Sequence, residues 1–132
     1  MNRGSSGLGG LPPETALFLS SIEDEAICGS SLYDSCMAIL TETQISSVLK
    51  DLQKWTVLNE KLHREYTFPN FAHAIGFMAT AAIDIEKKNH HPEWCNVYNR
   101  VNVDLSTHDA GGITQKDVDL AILLEGLAQR LA

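Results

Sequence analysis

From Thr41 onward the spacing of apolar positions changes repeatedly, and each change marks a predicted element. Thr41 and Gln44 form the S/T-x-x-E/Q pattern of a capping box. Ile45, Val48, Leu49 and Leu52 then recur at helical spacing, predicting a helix over about 42–54. Trp55 to Phe68 alternates instead. Trp55 and Val57 fall on one side, and beyond the Asn59-Glu60 turn Leu62, Tyr66 and Phe68 share a parity opposite His63, Glu65 and Thr67. This predicts a β-hairpin with one wet face. Pro69-Asn70 stops the strand and caps a second helix, which Pro92 should end near Lys88 to His91. Phe71, Ile75, Met78, Ala82 and Ile85 mark one apolar stripe on that helix, and Ala74, Phe77 and Ala81 mark another. A helix apolar on two sides needs two partners. The sheet is one, and a second copy of the chain is a candidate for the other.

From Val97 to Thr107 the alternation is cleanest. Val97, Val101, Val103 and Leu105 share one parity, and Tyr98, Arg100, Asn102, Asp104 and Ser106 the other. That is the pattern of a half-buried antiparallel strand, with a break near Asn99 able to split it. Thr114 and Asp117 signal the start of a last helix, which Val118, Ile122, Leu123, Leu124, Leu127 and Leu131 carry to the end. The expected class is α+β, in the order α-β-β-α-β-β-α. An antiparallel sheet of three to four strands would carry its helices on one face. Residues 41–132 form the predicted domain. Residues 1–40 are expected to be an extension, partly disordered, with Leu17, Phe18, Leu19 and Ile22 able to form a docking helical turn.

Composition narrows the function. At 132 residues the chain fits one domain, and its 44% hydrophobic content supplies a core. A net charge of −7 argues against direct binding to nucleic-acid phosphates. Cys28, Cys36 and Cys95 make no even disulfide framework, which favours a reducing compartment, the cytoplasm. No apolar run reaches the ~18 residues of a membrane span. The acidic residues of the first 40 positions argue against a transit peptide.

The candidate chemistry lies between Glu86 and Asp117, a stretch holding three of the five histidines. His90 and His91 precede Pro92, and His108 follows the strand-like run. Histidine changes charge near neutral pH, so such a cluster with a nearby carboxylate suits proton transfer. Plainer readings stand beside this one. His90 and His91 could be exposed imidazoles on a helix-end loop, and Asp117 could be a helix cap alone. Glu86 would neighbour His90 on a continuous helix. His63 and His73 read as solvated positions. Trp94 reads as a core or cleft-wall aromatic. A zinc site is disfavoured, since there is no HExxH and adjacent histidines seldom converge on one ion.

Glu86, His90-His91-Pro92, Trp94, Tyr98, Thr107-His108, Gly112 and Thr114 with Asp117 together resemble the signature of the pterin-4a-carbinolamine dehydratases, the dimerization-cofactor family. Trp55 and the FxxAxGFM run from Phe71 to Met78 also fit, so the resemblance covers residues 41–132. It implies dehydration of 4a-hydroxytetrahydropterin to the quinonoid dihydropterin in tetrahydrobiopterin recycling, with no metal or organic cofactor. It implies His90, His91 and His108 as catalytic residues. Glu86, Asn89, Ser106, Thr107, Asp109 and Asp117 are the implied substrate-binding or pocket residues. Asn89 stands where the family often has Asp. The resemblance further implies a homodimer or homotetramer. Some relatives stabilise dimers of a transcription factor, so a protein-binding module on the same fold, with access to the nucleus, is the rival expectation. A metal-dependent hydrolase on the same residues is a second rival.

Overall fold

The structure, a computed structural model, describes residues 37–132. The expectations of a partly disordered lead and of a helical turn at Leu17 to Ile22 lie outside the described residues.

Thr41 and Gln44 cap each other as expected. The Gln44 N–H donates to Thr41 Oγ1 at 3.3 Å, and the Thr41 N–H donates to Gln44 Oε1 at 2.9 Å. Helix α1 (Glu42–Asp51) ends before the expected 54. Leu52 leaves helical geometry at φ −103 and ψ 57. It and Trp55 turn into the core, 7% and 2% exposed, and that burial stops the helix. Strands β1 (Thr56–Leu58) and β2 (Lys61–Thr67) form the expected hairpin. Its two turn residues, Asn59 and Glu60, take φ 51 and 61, the left-handed pair that matches strand twist in a two-residue loop. Val57 does not share the burial of Trp55 as expected. It lies on a three-residue edge strand that no other described residues cover, and is exposed.

Asn70 caps helix α2 (Phe71–Lys88), its Oδ1 accepting from the His73 N–H at 3.0 Å. The Ala74, Phe77 and Ala81 stripe is buried, and Ile85 joins it. Phe71, Ile75 and Ala82, from the other predicted stripe, remain exposed, because the sheet covers only one side of the helix. The break expected near Asn99 divides the run into two strands, β3 (Glu93–Val97) and β4 (Arg100–Leu105), joined by a turn at Tyr98 and Asn99. Val97 pairs with Arg100 and so lies on the open face, 55% exposed, apart from Val101, Val103 and Leu105. The sequence parity was misleading because a turn intervenes. Asn96 Nδ2 supports that turn by donating to the carbonyls of Tyr98 and Arg100. Asn99 and Phe68 exchange hydrogen bonds of 2.8 Å, fixing the turn to the entry of α2.

The sheet is wholly antiparallel, in the order β1-β2-β4-β3. Leu62, Tyr66, Val101, Val103 and Leu105 form its buried face under the helices. Helix α3 (Gln115–Leu131) adds Val118, Leu120, Ala121, Leu124 and Leu127 to the core. Ile122, expected in the core, is exposed, because it points away from the stripe set by Leu120, Leu124 and Leu127. The expected class and element order hold: an α+β fold with α-β-β-α-β-β-α succession. One polar cluster ties α3 to the hairpin. Glu125 Oε2 accepts from Trp55 Nε1 at 3.2 Å, from Tyr66 OH at 3.1 Å and from Arg64 Nε at 3.5 Å. Burial, reinforced by the Glu125 charge, holds the Tyr66 phenol far above the ordinary tyrosine value, so it stays a donor. Among the described residues no helix is long and apolar enough to cross a membrane.

Candidate active site

The site is built where the chain leaving α2 and the loop leaving β4 meet the first turn of α3. Asn89 ends α2 in the left-handed region, at φ 49 and ψ 42, a conformation Asn tolerates better than most residues. That cap redirects the chain, so His90 no longer follows the helical path. Its neighbour is Asp117, not Glu86 as the helical spacing implied. His90 Nε2 lies 2.6 Å from Asp117 Oδ1, with side-chain exposures of 11% and 0%. His91, one residue on, meets Glu86 instead, Nε2 to Oε2 at 3.0 Å, with both side chains well exposed.

Asp117 both caps α3 and meets His90. Its Oδ2 accepts the Thr114 N–H at 2.8 Å, closing the capping box of α3. The same oxygen accepts from Thr107 Oγ1 at 2.8 Å, and Thr107 Oγ1 lies 2.8 Å from Thr114 Oγ1. Its other oxygen faces His90. A carboxylate so buried requires this many partners, since an unpaired one would cost several kcal/mol. Every described buried side-chain nitrogen or oxygen has a partner.

Thr107 also shapes the loop that follows. Its N–H donates to the Gly112 carbonyl at 2.9 Å, and its carbonyl accepts from Ala110 and Gly111. Gly111 takes φ 77, which a side chain would strain. This tight loop lifts His108 out of the sheet, exposed, with Nε2 3.5 Å from Glu93 Oε1. His108 lines a cavity of about 330 Å³ with Ser106, Thr107, Gly111, Gly112 and the hairpin residues Asn59, Glu60 and Lys61.

The segments of 90–93 and 107–108 are therefore bridged twice, through Asp117 between His90 and Thr107, and through Glu93 beneath His108. Ser106 and Thr107 border the cavity beside His108. Asn89 is a helix cap, and Asp109 is exposed; neither lines that cavity. His90 and His91 do not line it either, since their rings turn to Asp117 and Glu86. His63, expected to be solvated and alone, is paired across strands with Asp104, Nδ1 to Oδ1 at 2.6 Å. The two lie opposite each other on the polar face, which sequence parity alone does not reveal. His73 is exposed and contacts Asn70. Trp94 is half-buried against the core.

Two residues without a sequence-based role belong to this region. Lys61 Nζ donates to both Glu93 oxygens, at 2.7 and 2.8 Å. Those hydrogen bonds hold the Glu93 carboxyl below the usual carboxylate range. The only sequence signal was the place of Glu93 directly after His-His-Pro. Among the described residues no three His, Cys, Asp or Glu side chains converge as metal ligands would. What is assembled is a set of imidazoles, each with an acid at one nitrogen, an arrangement able to accept and return protons.

Comparison with known proteins gives the family. The model of the family described as pterin 4 alpha carbinolamine dehydratase matches residues 38–127. A protein of Solibacter usitatus, provisionally named a pterin-4-alpha-carbinolamine dehydratase, is 60% identical over 89 residues, covering 67% of this chain and 94% of its own. An Opitutus terrae protein of the same provisional name is 48% identical over 91 residues, covering 68% and 94%. A crystal structure from Brucella melitensis, described as a transcriptional coactivator/pterin dehydratase, superposes with a TM-score of 0.66 at 41% identity, covering 68% of this chain and 98% of that one. The chain belongs to the pterin 4 alpha carbinolamine dehydratase family.

Proposed function

We propose that this chain dehydrates 4a-hydroxytetrahydropterin to the quinonoid dihydropterin, as a step of tetrahydrobiopterin recycling, by histidine acid–base catalysis. The C4a–O bond breaks and water leaves with a proton from an acid. N5 gives its proton to a base, and the N5–C4a double bond forms. Nothing is oxidised or reduced. Both transfers fall near neutral pH, where imidazole works best. The observation that carries the proposal is the double bridge joining the His90-His91 segment to the His108 loop. We assign the chemistry to His108 with His90 or His91. Asp117 holds His90. Glu86, Asn89, Ser106, Thr107 and Asp109 are assigned to binding the pterin or shaping its pocket. The activity is assigned to residues 41–132 and none to 1–40, in the cytoplasm.

The test is the rate at which a 4a-carbinolamine loses water, with and without the protein. His108→Ala is expected to lower turnover by roughly 100-fold or more, the usual worth of a general acid or base. His73→Ala, at a site contacting Asn70, should leave it within about twofold. Equal losses in the two variants would count against the site.

A second reading has its own observation. Phe71, Ile75, Ala79, Ala82 and Ile83 lie exposed within roughly 120° of the α2 surface. Such a stripe suits a self-assembly face of a dimer or tetramer, or a docking face for a protein partner, as the description of the Brucella protein suggests. Sedimentation as a monomer removes the assembly. An inactive chain that still captures a partner favours the binding module over the enzyme.

A further inference from the structure

The imidazoles assigned to the reaction are all turned the same way. Nε2 of His90 lies 2.6 Å from Asp117, that of His91 3.0 Å from Glu86, and that of His108 3.5 Å from Glu93. The other histidines are turned oppositely: His63 and His73 engage Asp104 and Asn70 through Nδ1. Of the three Nε2 contacts, the first two are hydrogen bonds and the third is an ion-pair distance. An imidazole with one nitrogen facing an acid offers the other for proton exchange. Of these acids, Glu93 is the one without an assigned role.

Glu93 is itself clamped. Lys61 opens β2 and Glu93 opens β3, with β4 between them. Two strand spacings make roughly 10 Å, so the ion pair spans the end of β4. That is where Ser106, Thr107 and His108 leave the sheet. Both carboxylate oxygens contact Lys61 Nζ, and one of them, Oε1, also faces His108 Nε2. The Lys61 hydrogen bonds also hold the Glu93 carboxyl below the usual carboxylate range. An ion pair this exposed contributes little to folding. Lys61 and His108 line the same cavity, which puts the clamp at the site rather than elsewhere on the surface.

We propose that Glu93 is a positioning residue for His108, held from across β4 by Lys61, and that Nδ1 of His108 is the nitrogen offered to the substrate. The proposal rests on the dehydratase assignment above. Its test is a double-mutant cycle on the dehydration rate. Glu93→Gln is expected to lower kcat about 10-fold, the low end for a residue acting through another, with KM changed by less than roughly twofold. In a His108→Ala background the same substitution should cost nothing further, because the two act as one unit. Equal losses in both backgrounds overturn the proposal. The ring ¹H–¹³C signal of His108 reads the pairing without any activity. It should move in Glu93→Gln and in Lys61→Met, and stay in Glu86→Gln, where the His91 signal moves instead. An unmoved His108 signal in Glu93→Gln overturns the pairing. A wild-type chain with no dehydratase rate removes the functional assignment, while the ring signals still decide the pairing.

Discussion

Asp117 carries two duties on two oxygens, and the duties are separable by mutation. One oxygen serves the helix cap and Thr107; the other serves His90. Asp117→Ala strands the Thr114 N–H, leaves the buried Thr107–Thr114 hydroxyl pair one acceptor short, and frees the His90 ring. It should cost about 2–4 kcal/mol, the sum of a lost cap and unsatisfied buried donors, measured by urea unfolding. It should also lower kcat. Thr114→Ala disturbs the cap while leaving the Asp117–His90 contact, so it should lose stability with far less loss of rate. Loss of rate in proportion to stability in both variants would reduce Asp117 to a cap. The cap was legible in sequence because it is local, three residues apart. The nearness of His90, His91 and His108 in sequence was equally plain. A carboxylate at Asp117 holding a histidine was expected, but which ring each acid would meet was not. Glu86 meets His91 rather than His90 because the left-handed cap at Asn89 breaks the helical count. Lys61 and Glu93 meet only because β4 separates their strands, an order no local pattern encodes.

At the scale of elements, the Glu125 cluster fastens α3 to β2 through Tyr66, Trp55 and Arg64. The Tyr66 phenol is raised in the folded state, so its sign is that of an acid kept protonated by folding. Its contribution is complete below the ordinary tyrosine value of about 10. Above that pH the unfolded phenol ionises while the folded one does not. Stability should then fall by up to about 1.4 kcal/mol per pH unit from this group. Tyr66→Phe should be less stable at neutral pH yet flatter between pH 9 and 11 (roughly the span of phenol ionisation). Parallel decline in the two proteins would mean the phenol is not held as described. Helix starts were legible at Thr41, Asn70 and Thr114 because capping chemistry sits in the sequence itself. The break between β3 and β4 was legible near Asn99, but the reach of β3 back to Glu93 was not, and Tyr98 takes the turn at φ 56 with no Gly to announce it.

For the whole molecule, the alternation of strands and the stripes of helices were enough to give an α+β fold with one covered sheet face. What they could not give is which apolar stripe the sheet would take. Ala74, Phe77 and Ala81 are small or flat enough to approach the strands closely, while Phe71 and Ile75 are left on the outer side. The central claim concerns assembly at this scale: three imidazoles from two separate segments serve one pterin ring. The most direct measurement follows the ring signals of all five histidines by NMR while an unreactive oxidised pterin is added. The account predicts that His90, His91 and His108 respond together, with one shared affinity, while His63 and His73 stay still. Signals that move at His63 or His73 while His108 is unaffected, or different affinities at His108 and at the His90-His91 pair, would contradict it.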